Sequence, residues 1–432
     1  MKKKISNKNS KLQIILVILI SLLVGYFFGV NKIKYDWQNY KPQLSIINQE
    51  PPPGLITVDA TPFWTVWAKL EQGYYDKSKL NTQKMLNGAI EGMVQSLGDP
   101  FTLYLPPAQN SSFQQGLAGQ FSGIGAELGL GPDAKQIIII APLTGSPSEK
   151  AGIKAGDIIL GVDGQSTSGW DLNTAVAKIR GPKGTKVTLT VLHKGSKTPV
   201  DIVITRDVIT VKSVTGWVKP VSCSSGTCQT IDQSKATANN PEVAYIDLSQ
   251  FGDNTNQDWT SVVNSLVTQM KGKNVKGVIL DLRNNPGGYL TDATYIASEF
   301  LAEGSPVVTE DDGIPADQKT LYATRQGAFT NIPVVVLINK GSASASEIVA
   351  GALRDNGRAK LVGDTSFGKG TIQEAEDLGG GAGLHVTIAK WLTPKGTWVN
   401  GKGLTPDYTV NLNPNDPSTD TQLEKAIQVL VQ

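Results

Sequence analysis

Histidine is nearly missing from this chain: His193 and His385 are its only two, and neither lies near the serine-rich segment that draws attention later. A serine nucleophile that leans on histidine as its base therefore has no partner close in sequence. Cysteine is equally scarce. Cys223 and Cys228 stand alone in Cys-Ser-Ser-Gly-Thr-Cys. Two ligands make a poor zinc site, and no metal or cofactor is expected. The pair could close a small disulfide loop in an oxidising compartment, or remain two free thiols. Charge of one sign is also lacking. The formal net charge is +2, which gives no electrostatic support to nucleic-acid binding. There is no internal repeat and no long low-complexity tract.

What is present begins with a basic start, Lys2, Lys3, Lys4, Lys8 and Lys11, followed by an uncharged run from Leu12 to Val30. A run of that length suffices to cross a bilayer, which takes roughly 20 residues. The leading lysines favour a cytoplasmic N-terminus, although Lys32 and Lys34 weaken the asymmetry. A cleaved signal peptide is the alternative, but no small-x-small site follows the run. The expected organisation is a basic cytoplasmic tail over 1–11 and a transmembrane anchor over 12–30. The protein would then be single-pass in the cell membrane, with the bulk of the chain extracytoplasmic. A linker over 31–60 contains Pro51-Pro52-Pro53 and reads as a spacer.

From Thr61 the apolar period becomes helical. Phe63, Trp64, Trp67 and Leu70 share one face, Leu86, Ile90, Met93 and Leu97 another, and Gly98-Asp99-Pro100 closes the second helix. These aromatics are expected to pack between helices, giving an N-terminal helical segment over 61–118. A second unit over 119–207 alternates short strands with two helical stretches. Its Ala151–Gly164 segment, Ala-Gly-Ile-Lys-Ala-Gly-Asp-Ile-Ile-Leu-Gly-Val-Asp-Gly, resembles a bacterial PDZ domain. That resemblance implies that Gly123, Ile124, Gly125 and Ala126 form the loop whose N–H groups receive a peptide's terminal carboxylate. A third unit over 208–410 alternates apolar strands (Val243–Leu248, Gly277–Leu282, Val334–Ile338, Lys360–Val362) with helical patterns (Trp259–Met270, Leu290–Leu301, Ser346–Leu353). The fold class is thus α/β and multidomain, its core built on a largely parallel sheet. A helical tail over 411–432 closes the chain. The terminal helices could mediate homo-oligomerisation or complete a core.

The chemistry centres on Gly341-Ser342-Ala343-Ser344-Ala345-Ser346-Glu347, placed where a strand gives way to a helix. Backbone N–H groups at a helix N-terminus favour negative charge and could stabilise a tetrahedral oxyanion. Three serines compete there, and Ser342 or Ser346 is expected as the helix cap. Asp281-Leu282-Arg283-Asn284-Asn285-Pro286-Gly287-Gly288 likewise follows a strand, and its glycines can bring bare N–H groups against a substrate. Asp281 and Arg283 would brace that turn. Lys369, between Gly368 and Gly370, could be drawn inward, where desolvation favours the neutral amine. The segment Gly363–Lys369 imitates a phosphate-binding loop, but Gly370 stands where that motif needs Ser or Thr.

Taken together, Gly98–Leu105, the PDZ-like unit, Asp281–Gly288, Asn339–Ile348, Gly363–Gln373 and Gly403–Asp407 resemble the carboxyl-terminal processing peptidases, also called tail-specific proteases. The resemblance spans about Thr61 to Val410. It implies Ser344 as nucleophile, Lys369 as general base and Gln373 as the residue orienting the lysine. It also implies an oxyanion hole from the N–H groups of Ala345 and Gly288. Expected partners are proteins with accessible C-termini, and the activity is serine endopeptidase.

Overall fold

The structure, a computed structural model, describes residues 16–23, 26, 33–38, 41–46 and 59–432, except 132–135, 144, 225–226, 238, 315–316 and 413–418. Two compact units divide at Met85/Leu86. The first holds a helical stretch α1 (16–23) and a hairpin of β1 (Ile33–Gln38) and β2 (Lys41–Ile46). It also holds α2 (Thr61–Gly73) and the start of α3 (Thr82–Gln95). Among the described residues no helix is long and apolar enough to cross a membrane. Most of the expected anchor, and residues 47–58 of the expected spacer, lie outside the described residues. The aromatics of α2 depart from expectation. α2 has no buried residue, and Trp64 is 62% exposed. Phe63 and Trp64 instead pack edge-to-face on each other at 4.9 Å, because adjacent rings on so short a helix can touch without further cover.

The second unit opens with β3 (Leu103–Leu105) and α4 (Pro107–Leu117). The expected Gly123–Ala126 loop lies at the break between two strands, β4 (Gln120–Gly123) and β5 (Ala126–Leu130), which part at Ile124–Gly125. Gly125 sits at φ 73°, and a side chain there would strike Ser146 and Ile209. The PDZ-like sheet continues through β6 (Ile137–Pro142), α5 (Pro147–Lys150), β7 (Ile158–Val162), β8 (Gln165–Ser166), α6 (Leu172–Ile179), β9 (Lys186–Leu192) and β10 (Val200–Thr205). Its order is β10-β9-β7-β6-β5, so β5 is an edge strand. β11 (Asp207–Thr210) returns the chain by pairing with β4.

The core sheet then forms from β12 (Val214–Ser224), β13 (Thr227–Thr230), β14 (Glu242–Leu248), β15 (Val275–Asp281), β18 (Val334–Ile338), β19 (Ala359–Gly363) and β22 (Tyr408–Thr409), in the order β13-β12-β14-β15-β18-β19-β22. From β14 to β22 every pair is parallel, as the alternating pattern predicts. Strand alternation explains the burial. Val334, Val336 and Ile338 pack under α7 (Thr255–Met270), α8 (Leu290–Ala297) and α9 (Ala345–Asp355), whereas Val335 and Leu337 meet α10 (Thr421–Val431) on the other face. Cys223 and Cys228 are register partners across the β12–β13 hairpin and are disulfide-bonded.

A second, antiparallel sheet was not legible in the sequence. It pairs β16 (Pro306–Asp311), β17 (Lys319–Tyr322), β20 (Thr371–Gly379) and β21 (Ala382–Leu392), with β3 added along β21. It carries two residues of the site described next.

Candidate active site

Three loops leave the carboxyl ends of the neighbouring parallel strands β15, β18 and β19, the usual ligand-binding edge of such sheets. The β15 loop carries Asp281–Gly288, the β18 loop carries Ser342–Ala345, and Lys369 follows β19. The loops are pressed together: a methyl group at Gly287 would stand 2.8 Å from Ser344 Cβ and 3.0 Å from the Ala345 nitrogen. Arg283 anchors the first loop, bonding Asp281 at 2.6 Å and Asp420 of the α10 cap at 2.8 Å. The expected Asp281–Arg283 brace is therefore present, extended to the C-terminal helix.

The competition among serines resolves through burial. Ser342 and Ser346 are fully buried. Ser342 Oγ donates to the Leu282 carbonyl at 2.7 Å and Ser346 Oγ to the Asn285 carbonyl at 2.9 Å. Neither caps the helix, contrary to expectation, because both hydroxyls are drawn across to the β15 loop to satisfy buried carbonyls. The N-cap position belongs to Ser344, which holds φ 54°, ψ −115°. Such a backbone costs roughly 1–3 kcal/mol for a residue other than glycine and persists only when its surroundings impose it. Here Glu347 imposes it. Its carboxylate is wholly buried and accepts four hydrogen bonds: Oε2 from the N–H groups of Ser344 and Lys369, both at 2.9 Å, and Oε1 from Gly368 N at 2.7 Å and Ser366 Oγ at 2.6 Å. One oxygen thus ties the serine to the lysine loop. Sequence reasoning assigned Glu347 no role; the signal was a carboxylate three residues after an N-cap serine, the capping-box spacing.

A cleft of about 320 Å³ brings together Gly288, Ser344, Ala345, Lys369 and Gln373. Among the described residues, no hydrogen bond occupies the N–H of Gly288 or of Ala345. Gly287 N–H, by contrast, is spent on Asn285 Oδ1 at 2.9 Å. Burial pushes the Lys369 ammonium below the ordinary lysine range, against the opposing pull of Asp99 and Glu347. Its Nζ stands 5.2 Å from the centre of the Phe101 ring. No hydrogen bond joins Lys369 to Ser344 or to Gln373 among the described residues. The Gln373 amide is turned to its own sheet instead, donating to Thr371 Oγ1 at 2.9 Å and Thr387 Oγ1 at 3.0 Å. The cause is local, since these hydroxyls share a strand face with it, two residues along β20 and directly across on β21.

Comparison with known proteins now bears on this arrangement. The profile of peptidase family S41 matches residues 242–410, that of the PDZ domain residues 117–192, and that of the activating protease CtpB N-terminal domain residues 62–107. The carboxy-terminal processing protease CtpB of Bacillus subtilis is 35% identical over 414 residues, 94% of this chain and 78% of that protein. This chain belongs to peptidase family S41. It is a carboxy-terminal processing serine protease with a PDZ domain. The carboxyl-terminal-processing protease of Synechocystis is 39% identical over 344 residues, covering 80% of this chain and 75% of its own length. A putative S41 protease structure from Bacteroides fragilis, 16% identical, aligns with TM-score 0.55 over 85% of this chain and 97% of that one, a likeness of fold.

The PDZ domain presents the second concavity, about 400 Å³ between the β4–β5 loop, edge strand β5 and α6. Gly123, Ile124, Gly125 and Ala126 all line it. Among the described residues the N–H groups of Ile124 and Gly125 donate to no partner. Arg180, exposed at the end of α6, lies 4.9 Å over the Phe121 ring at the same mouth.

Proposed function

We propose that this protease is a membrane-tethered, extracytoplasmic serine endopeptidase that captures protein C-termini in its PDZ groove and cleaves by a serine–lysine mechanism. The observation that carries the catalytic reading is the single buried carboxylate of Glu347 holding the backbones of Ser344 and Lys369 at one cleft. Neutral Lys369 accepts the Ser344 Oγ proton as that oxygen attacks the peptide carbonyl. The N–H groups of Gly288 and Ala345 receive the oxyanion, Lys369 protonates the leaving amine, and water then cleaves the acyl-enzyme. The hydrogen bond between Ser344 and Lys369 forms as the lysine side chain swings from Phe101 towards the serine; catalytic contacts often tighten only with substrate bound. Gln373 then receives an ammonium hydrogen on its amide oxygen.

The uncharged run from Leu12 to Val30 behind five lysines supports the anchor and its orientation. The Cys223–Cys228 bridge suits an oxidising compartment outside the cytoplasm. A substrate C-terminus would add as a strand to β5 with its carboxylate on the Ile124–Gly125 N–H groups. Ser344→Ala and Lys369→Ala are the direct test, assayed on an unfolded protein substrate. Each should lower kcat by about 10³-fold or more, and wild-type turnover in either variant rejects the serine–lysine assignment.

A further inference from the structure

His385 is distant from the serine segment in sequence, yet β21 carries it into the same cleft as Ser344 and Lys369. Its ring is half-buried and packs edge-to-face on Phe113 of α4 at 4.5 Å. Neither ring nitrogen has a hydrogen-bond partner among the described residues. A neutral imidazole therefore offers one donor and one acceptor to whatever fills the cleft. Most of the cleft around it is apolar, with Leu117, Leu290, Ile348, Ile372 and Trp391; Ser344, Lys369, Thr371 and Gln373 add polar groups, and no Asp or Glu lines it.

We propose that His385 sets which substrate side chain this cleft accepts and makes the choice depend on pH: an apolar side chain is seated while the imidazole is neutral, and a carboxylate-bearing one once it is protonated. The inference rests on reading the cleft as the peptidase site. The charges around the ring are few. Lys369 faces it and, after burial itself, holds its titration below the ordinary histidine range. α4 and β3 bring no charged side chain. On β20, Glu374 and Glu376 alternate with Gln373 and Ala375, are exposed, and point to the opposite face. Asp99 acts on Lys369. A protonated His385 thus has no carboxylate in the cleft, and the substrate must supply one. For the same reason a lysine or arginine side chain finds no opposite charge in the cleft.

The test uses the full chain and two peptides alike except at the residue whose carbonyl Ser344 attacks, Leu in one and Glu in the other. The readout is the Glu-to-Leu ratio of kcat/KM between pH 8 and about pH 5, above the range where the substrate's own Glu side chain, with a pKa of about 4.3, takes up its proton. Titration of Lys369 lowers both rates alike and cancels in the ratio. In the wild type the ratio should rise about fivefold or more as pH falls, the scale of one water-screened charge contact. In His385→Phe, which keeps the packing on Phe113, and in His385→Gln, it should stay flat. A flat wild-type ratio, or variants that follow the wild type, overturns the inference. If neither peptide is cleaved at any pH, the peptidase reading of these substrates fails, and histidine NMR on Ser344→Ala decides the inference alone. With His193 as internal reference, the Glu peptide must raise the His385 midpoint above that seen with the Leu peptide. Equal midpoints overturn it.

Discussion

Glu347 illustrates how one side chain can hold the proposed catalytic centre together without taking part in its chemistry. Four donors converge on its carboxylate, two of them the backbones of Ser344 and Lys369. In Glu347→Gln one oxygen becomes an amide nitrogen, a donor facing donors, and two of the four bonds are lost. Buried groups left unpaired cost about 1–3 kcal/mol each, and a displacement of about 1 Å can cost 10²-fold in rate. The expected result is a kcat near a hundredth of wild type with KM altered less. The pH profile carries a second signature. With Lys369 as the proposed base, active when neutral, activity should fall as pH drops through its lowered pKa, and the Glu347 charge opposes that lowering. Removing the charge lets the pKa fall further, so the acid limb of kcat should move to lower pH. A variant with wild-type kcat, or one whose acid limb moves upward, contradicts the role given to Glu347.

At the scale of elements, the β15 loop is the most constrained piece of the site. Gly288 holds φ 140°, and a methyl group added there would collide with the Phe251 carbonyl, the residue whose N–H and C=O bracket this turn. Gly288→Ala must move the turn and, with it, the N–H proposed to receive the oxyanion. Losing one such donor typically costs 10²–10³-fold in kcat. The variant should lose activity on that scale while retaining cooperative thermal unfolding, as calorimetry would show. Unchanged kcat would remove Gly288 from the oxyanion hole. The apolar runs of β14, β15 and β18 are legible in the sequence because these strands are buried on both faces, and β18 falls on the predicted residues. The antiparallel pair β20–β21 is not legible. The two strands are neighbours in sequence and pair as a hairpin, but the exposed face of β20 carries Glu374, Glu376 and Asp377 and breaks the hydrophobic run.

For the whole molecule, the PDZ groove and the catalytic cleft are separate concavities within one compact unit. A peptide ending in a free carboxylate should bind the full chain at least about tenfold more tightly than its C-terminal amide, since hydrogen bonds to a charged group contribute roughly 1.5–3 kcal/mol. Ser344→Ala should leave that ratio intact. Calorimetric titration with both peptides measures it, and equal affinities would rule out carboxylate capture by the Ile124–Gly125 loop. The cross-link between Cys223 and Cys228 lies at the far edge strand of the core sheet, so chemical reduction should leave this affinity unaltered.

By itself the sequence determined the alternation of strands and helices and the glycine turns, which depend on local spacing and on backbone conformations that few residues tolerate. Its resemblance to a family supplied the proposed nucleophile, base and oxyanion donors. Only the tertiary structure shows that Ser342 and Ser346 spend their hydroxyls on carbonyls of another strand's loop while Ser344 lines the cleft. It alone turned the Gln373 amide toward Thr371 and Thr387, made Glu347 the shared anchor of two loops, and carried His385 into the cleft. Each of these follows from strand register and burial, properties that exist only once distant segments are packed side by side.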